Sequence, residues 1–284
     1  MDGFLLVDKP SGPTSFDIVR QVRRALEGAK VGHAGTLDPL ASGLLVCALG
    51  GATRLLPYLP AEPKKYSFGI RFGTETDTLD TEGAVIKDGG RVPAREEIVA
   101  ALSRFVGELS QTPPKYSAKK VQGERAYDLA RKRAEFELGQ ARVKVYSLIL
   151  SSYDEKKEEA GLEVSCSGGT YVRALCRDIA AALGTFGHAS FIRRVAIGPF
   201  TVDTAVVLEE IDDIKKHIVP INQALASLPS VTVNEEQCEA LSKGKDIRTN
   251  RTDGTVIAYT GKDIVAAVLS RKDENIYHPV KVFI

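Results

Sequence analysis

The stretch Gly32-His33-Ala34-Gly35-Thr36-Leu37-Asp38-Pro39-Leu40-Ala41-Ser42-Gly43-Leu44-Leu45 gathers three glycines, one proline and a single carboxylate. Glycine and proline at that density break both helix and strand, so Val31–Gly43 is expected as an irregular loop with Asp38 at its centre. Loops of this kind present functional groups from a rigid scaffold. On local chemistry alone, Asp38 before Pro39 reads as a turn former, because Asp hydrogen-bonds its own turn. His33, taken alone, reads as structural. The apolar run Leu44–Leu49 that follows is a strand or the start of a buried helix.

Upstream, Phe4–Val7 reads as a short buried strand that stops at Asp8-Lys9-Pro10, since proline cannot donate to a ladder. Thr14 and Ser15 offer N-caps for a helix reaching about Glu27, with Gly28 suited to its end. Downstream, Tyr66–Phe72 alternates as a strand and Thr74–Gly83 is a polar, acidic loop. Ala94–Val106 has the period of an amphipathic helix closed by Gly107. Arg142–Tyr153 and Leu162–Ser167 form a strand pair split by the charged turn Asp154–Gly161. Thr170–Leu183 is a second helix, ended by Gly184, and Ile192–Phe200 is strand-like. Strands and helices do not alternate regularly, so the fold class is α+β rather than a doubly wound sheet. Past residue 228 the pattern changes to one short helix, Glu235–Ser242, and short strands at Thr255–Thr260, Ile264–Ser270 and Val280–Phe283.

Composition narrows the function classes. The 284 residues are 43% hydrophobic and 26% charged, which describes an ordinary globular chain. No run approaches the ~20 apolar residues of a membrane span. The start, MDGFLLVDKPSG, lacks the basic n-region of a signal peptide, and Cys47, Cys166, Cys176 and Cys238 form no CxxC pair. A cytoplasmic protein with reduced thiols is expected. The four His do not cluster with the Cys, so no metal site is expected. Net charge is only +1, yet residues 113–146 hold nine Lys/Arg against four acids, a local net of +5. Mixed with Tyr116 and Tyr127, that segment suits an RNA backbone as well as an ordinary solvated face.

GHAGTLDPLASGLL resembles the signature motif of the TruB family of tRNA pseudouridine-55 synthases. LLVDKPSGPTS, KKYSFGIRFGTETDTLDTEG, PPKYSAKKVQGERAYDLAR, SCSGGTYVRALCRDIA and HASFIRR resemble further family motifs in the same order, covering roughly residues 3–200. The resemblance implies an α+β pseudouridine synthase fold with a mixed or antiparallel central sheet over 1–228. It also implies a mobile, thumb-like RNA-binding insertion at 113–146 and a small, mostly β, PUA-like RNA-binding domain at 229–284.

The implied reaction detaches uracil from ribose, rotates it and rejoins it through carbon in the T-loop of tRNA. Nothing is oxidised and no group is exchanged, so no cofactor is implied. What the chemistry requires is a carboxylate acting as nucleophile or base. The resemblance assigns that role to Asp38, with Arg173 as its paired cation and Tyr66 as the aromatic residue stacking on the uracil. Tyr171 and Ile192 are implied to line the uridine pocket, Ile192 standing where leucine is common. Lys9 and Pro10 are implied to support the active-site loop, with Lys9 counted among the substrate-binding residues. His33 is implied to enter the T-loop and hold the base out, and Asp80 to contact RNA. Read without the resemblance, Tyr66 is a core strand residue, Arg173 a polar helix residue and Asp80 an exposed loop acid. The expected partner is the tRNA T-stem-loop, bound by a monomer without any membrane. The alternative is a tRNA-binding or tRNA-folding protein without catalysis; a guide-RNA-dependent synthase is disfavoured because the chain lacks long basic tails.

Overall fold

Strands β1 (Gly3–Lys9), β2 (Val31–Ala34) and β3 (Ser42–Leu49) are almost unbroken apolar runs, and both faces of β1 and β3 are buried. Alternation along a strand divides their side chains between two cores. Leu5, Val7, Leu45, Cys47 and Leu49 pack against helix α1 (Ser15–Ala25) through Ile18 and Val22. Phe4, Leu6, Leu44 and Val46 face the other way, toward a 3-10 segment at Gly50–Tyr58 and the C-terminal module. The start of α1 is set by Thr14, which accepts from the Asp17 amide while the Asp17 side chain accepts from the Thr14 amide. The computed structural model describes residues 2–117, 119–121, 123–132, 134, 136–208, 213–261 and 264–284.

The chain then lays down β4 (Lys64–Phe72), a small hairpin of β5 (Glu75–Thr76) and β6 (Val85–Lys87), and helix α2 (Arg95–Leu102). Next come β7 (Gly107–Gln111), the short pair β8 (Lys120–Val121) and β9 (Glu124–Arg125), and helix α3 (Ala126–Arg131). Strands β10 (Ala141–Asp154) and β11 (Glu159–Cys166), helix α4 (Val172–Ala182), β12 (Gly187–Ile197), β13 (Phe200–Thr201) and β14 (Ile218–Val219) complete the large unit. Its ten-stranded sheet runs β14-β1-β3-β12-β4-β11-β10-β7, with β2 added to β3 and β13 to β12. Its pairs are antiparallel except β3 with β12, which run parallel at Ser42 and Gly43 beside Arg193 and Arg194. A mixed sheet of an α+β chain is the expected class. Helices α2 and α4 cover Phe68, Ile70, Phe72, Leu162 and Val164 to make the main core.

After helix α5 (Ile221–Ala224), a second sheet of β15 (Ser230–Thr232), β16 (Ile247–Arg248), β17 (Thr255–Tyr259), β18 (Val265–Asp273) and β19 (Ile276–Val282) forms, with helix α6 (Glu235–Ser242) against it. Ile257, Val265 and Val268 of this sheet join the core of β1 and β3, and the Arg54 guanidinium lies 4.7 Å above the Phe283 ring.

Several boundaries differ from the sequence expectation, each for a hydrogen-bonding reason. The expected loop Val31–Gly43 opens as β2, because β12 meets β3 only at Ser42 and Gly43. The rest of that edge needs partners, and Val31–Ala34 supplies them opposite Leu49–Val46. The true loop is 35–41. Helix α4 starts at Val172 rather than Thr170, because Tyr171 is extended (φ −98°, ψ 110°) and serves as the N-cap, its amide bonded to the Gln111 side chain at 2.9 Å. The helix expected to reach Val106 ends at Leu102 and tightens into a 3-10 turn.

Gly43 marks the tightest point of the parallel contact. It sits at φ +98°, and a Cβ there would lie 2.3 Å from the Arg194 carbonyl oxygen and 2.8 Å from its nitrogen. Left-handed backbone costs an L-residue about 1–2 kcal/mol, and forcing a methyl into packed backbone costs about 1–3 kcal/mol more. Gly43→Ala is therefore expected to lose about 2–5 kcal/mol in urea unfolding. Gly28→Ala, at φ +89° with open space around it, should lose only the backbone part. Equal losses in the two variants would show that the approach to Arg194 adds nothing.

Candidate active site

The loop 35–41 is held from below by the chain that follows β1. The buried Lys9 ammonium donates to the carbonyls of Pro10 (2.8 Å), Pro13 (2.8 Å) and Pro39 (3.3 Å). The Gly12 amide also donates to the Pro39 carbonyl, and Ser11 Oγ donates to that of Leu40. Ser15, buried at the start of α1, accepts from the Leu37 amide and donates to the Leu37 carbonyl. Leu37 and Ala41 are themselves buried in the main core. Asp38 stands between these two anchors with its side chain 41% exposed.

That side chain opens into a cleft of about 190 Å³ lined by Lys64, Tyr66, Tyr171, Arg173 and Ile192 among others. The volume is below the ~300–1,000 Å³ of drug-sized ligand sites and suits one small planar ring. Arg173, the second residue of α4 and only 4% exposed, reaches Asp38 Oδ2 with Nη2 at 2.7 Å and Asp80 Oδ2 with Nη1 at 3.3 Å. The same two nitrogens donate to the carbonyls of Thr78 (2.7 Å) and Tyr116 (2.9 Å). Tyr66 lies on β4 with its hydroxyl near the Arg194 guanidinium. Burial pushes that phenol above its ordinary pKa, so it remains protonated near neutrality. Tyr171 caps α4 and Ile192 sits on β12 as part of the apolar wall.

Five of the eight expected residues therefore converge: Asp38, Tyr66, Tyr171, Arg173 and Ile192. Three stand elsewhere. Asp80 is not an exposed loop acid: its side chain is 6% exposed, accepts from Thr78 Oγ1 and the Glu82 amide, and faces Arg173. The β5–β6 hairpin folds the Thr74–Gly83 loop back onto the sheet, which turns the carboxylate inward. Lys9 lies beneath the loop rather than in the cleft lining, and its three hydrogen bonds all go to backbone there. His33 lies on β2 outside the cleft lining, with Nδ1 buried and unpartnered. Burial first, and the nearby Arg194 second, lower its pKa, so it is neutral at pH 7.

Arg194 and Lys64 were not anticipated. Arg194 is 1% exposed and donates Nε to Leu44 O and Nη2 to Gly35 O. Strand alternation in HASFIRR separates the two arginines: Arg193 turns to Asp8 (Nη1 3.0 Å, Nη2 2.6 Å) and Arg194 turns inside. A paired Arg-Arg at a strand position carried that signal, but not which of the two is buried.

The basic segment forms a long excursion between β7 and β10, whose feet pair at Gln111 and Ala141. Tyr116 and Tyr127 meet edge to face at 6.2 Å, and the Arg131 guanidinium lies 4.5 Å over Tyr127. Lys119 and Lys132 are tied to Gly139 O and Glu124. Arg133 and Glu135 of that segment lie outside the described residues.

The Lys9 clamp gives a pH signature. Its pKa falls from 10.5 to about 8, chiefly through burial, with Asp38 and Glu82 pulling the other way. Between pH 8 and 10.5 the unfolded chain then binds more protons at this site than the folded one, so the Lys9 contribution to stability rises with pH. Wild-type protein should gain stability over Lys9→Met between pH 7.5 and 9.5 in urea unfolding. A gap that stays constant would show that Lys9 is not depressed.

A family model described as TruB family pseudouridylate synthase (N terminal domain) matches residues 23–172, and one described as tRNA pseudouridylate synthase B C-terminal domain matches 173–226. A tRNA pseudouridine synthase B of Caulobacter sp. (strain K31) is 41% identical over 301 aligned positions, covering 100% of this chain and 96% of the relative. The protein of the same name from Aquifex aeolicus (strain VF5) is 39% identical, with 89% of each chain covered. Among solved structures, a chain of a Cbf5-Nop10-Gar1 complex superposes with TM-score 0.76 and 26% identity, over 99% of this chain and 85% of that one. A chain of an H/ACA RNP bound to a substrate RNA containing 2′-deoxyuridine superposes with TM-score 0.74 at 25% identity, with the same shares covered. Matched over more than half its length, and over all of it by relatives near 40% identity, the chain belongs to the TruB family of pseudouridylate synthases.

Proposed function

We propose that this chain converts a T-loop uridine of tRNA, at position 55, to pseudouridine, with Asp38 as the catalytic carboxylate. The observation that carries the reading is the 2.7 Å ion pair of Arg173 and Asp38 inside a cleft walled by Tyr66, Tyr171 and Ile192. Arg173 aims the carboxylate and balances its charge against a polyanionic substrate. Asp38 acts at the ribose or the uracil ring as the glycosidic bond breaks. The detached base turns within the cleft and rejoins C1′ through C5; C5 then loses its proton and N1 ends protonated, so the product is an isomer of the substrate. Tyr66 stacks on the base, and its hydroxyl, kept protonated by burial, holds a proton beside it.

Extruding the base costs a few kcal/mol, and each aromatic stack returns about 1–3 kcal/mol. One stack barely offsets extrusion, so a second group must hold the vacated loop. His33, neutral and outside the cleft, is assigned that contact. The basic excursion at 113–146 grips phosphates, and the five-stranded module within 229–284 serves as a PUA-like RNA-binding domain beside a catalytic unit at 1–228. The name of the Caulobacter relative supports tRNA as the substrate.

Asp38→Asn should lower the rate on a T-stem-loop RNA by about 10³-fold or more, as removal of an essential reacting group does. Its tRNA affinity should stay within about threefold of wild type, since phosphate contacts dominate affinity. Mass spectrometry of the digested RNA reads the product. Near wild-type conversion by the variant would sink the mechanism, and no product from wild-type protein would favour a binding protein without catalysis.

Asp80→Asn separates positioning from RNA contact. A buried partner of Arg173 should cost kcat about tenfold or more with little change in KM. A rise in KM alone would instead place Asp80 against the RNA.

A further inference from the structure

Lys64 is the cation of the cleft that the mechanism leaves without a task. Alternation on β4 puts Lys64 and Tyr66 on one face, and both line the cleft. Lys65 between them is exposed. The Lys64 ammonium bridges the two walls. It lies 3.4 Å from where a Cβ on Gly35 would be, and 3.9 Å from where one on Gly168 would be. Gly35 has φ +73°, and a side chain at either position would fill the space beside the ammonium.

The neighbouring side chains already make hydrogen bonds of their own. Glu62 accepts from the Gly168 amide at 2.7 Å and from the Tyr146 hydroxyl at 3.4 Å. Arg194 donates to two carbonyls, and Arg173 to two carboxylates and two carbonyls. Among the described residues, no hydrogen bond or ion pair reaches Lys64 Nζ. Burial and the like charge of Arg194 both lower its pKa, opposed by Cys166 and Glu62. Its three N–H donors are unused, in a half-buried site next to another cation, and no anion among the described residues is in hydrogen-bond contact with them. A neutral uracil carbonyl would leave the repulsion between the two cations uncompensated, whereas a phosphate compensates it. The amino end of α4, with no acidic residue in its first turn, opens on the same cleft through Gly169–Val172 and adds positive potential.

We propose that Lys64, between Gly35 and Gly168, is the binding residue for a phosphodiester flanking the flipped uridine, so that the cleft recognises a nucleotide rather than a base alone. The proposal rests on the isomerase reading above and deepens it. The test uses the full chain and T-stem-loop RNAs carrying a neutral methylphosphonate on the 5′ or the 3′ side of the target uridine. On wild-type protein, one of the two substitutions should raise KM about tenfold, as loss of one phosphate contact does. Lys64→Met should raise KM on unmodified RNA by a similar factor, leave kcat within about threefold, and show no further loss on that methylphosphonate RNA. Its slope of log affinity against log salt should be shallower by about one.

Penalties that multiply for both methylphosphonates, or a fall in kcat with KM unchanged, would overturn the assignment. Should Lys64→Met fail to fold, Lys64→Gln takes its place. Two methylphosphonates without effect on wild-type KM would overturn the proposal with no variant needed. Wild-type protein that makes no pseudouridine would instead overturn the isomerase reading, so the two failures are distinct.

Discussion

A single buried guanidinium organises this molecule. Arg173 is 4% exposed and joins Asp38 on the loop after β2, Asp80 on the loop after β5, Thr78 beside it, and Tyr116 at the foot of the basic excursion. Burying such a charge is costly unless its partners are complete and well placed. Here the partners come from three segments far apart in sequence, so each must be in register for the charge to be satisfied. The requirement couples the Asp38 loop to the basic excursion through one side chain. Planar, forked geometry explains why the position needs arginine: a lysine could not reach both carboxylates at once.

The scaffold reaches that register by a second set of buried cations working against backbone rather than against carboxylates. Lys9 collects three carbonyls beneath the loop, and Arg194 collects those of Leu44 and Gly35 at its other end. The loop 35–41 is therefore fixed by donors from β1 and β12, which meet β3 from its two sides. Pinning Leu37 and Ala41 in the core leaves Asp38 as the side chain that turns outward between them. Preorganisation of this kind removes ordering cost from the moment of reaction.

The cleft reads as a site for a nucleotide. Its walls combine an aromatic ring, an apolar side and a carboxylate held by arginine, which suit a base and a ribose. The Lys64 ammonium at the junction of two glycine-bearing loops supplies what the rest of the nucleotide presents, a negative charge. The C-terminal module shares a core with β1 and β3 through Ile257 and Val268. The two sheets thus form one continuous scaffold.

Much of this was legible in the residues themselves. Periodicity located α1, β4, the β10–β11 pair and α6, because a half-buried helix or strand must repeat its apolar residues at its own period, whereas the apolar run Leu44–Leu49, buried on both faces, left strand and helix open. The ordered motifs singled out Asp38, Tyr66, Arg173, Tyr171 and Ile192, which do share one cleft. Tertiary structure alone decided the rest. Val31–Ala34 became a strand because an open edge of β3 needed hydrogen-bond partners, a demand made by β12 some 160 residues away. Asp80 and Lys9 were turned inward, since burial of a charged group depends on partners brought by distant segments. The choice between Arg193 and Arg194, and the isolation of the Lys64 ammonium, depend likewise on what lies across the sheet. Local sequence sets the period of an element, while the fate of each charge is settled by the elements packed against it.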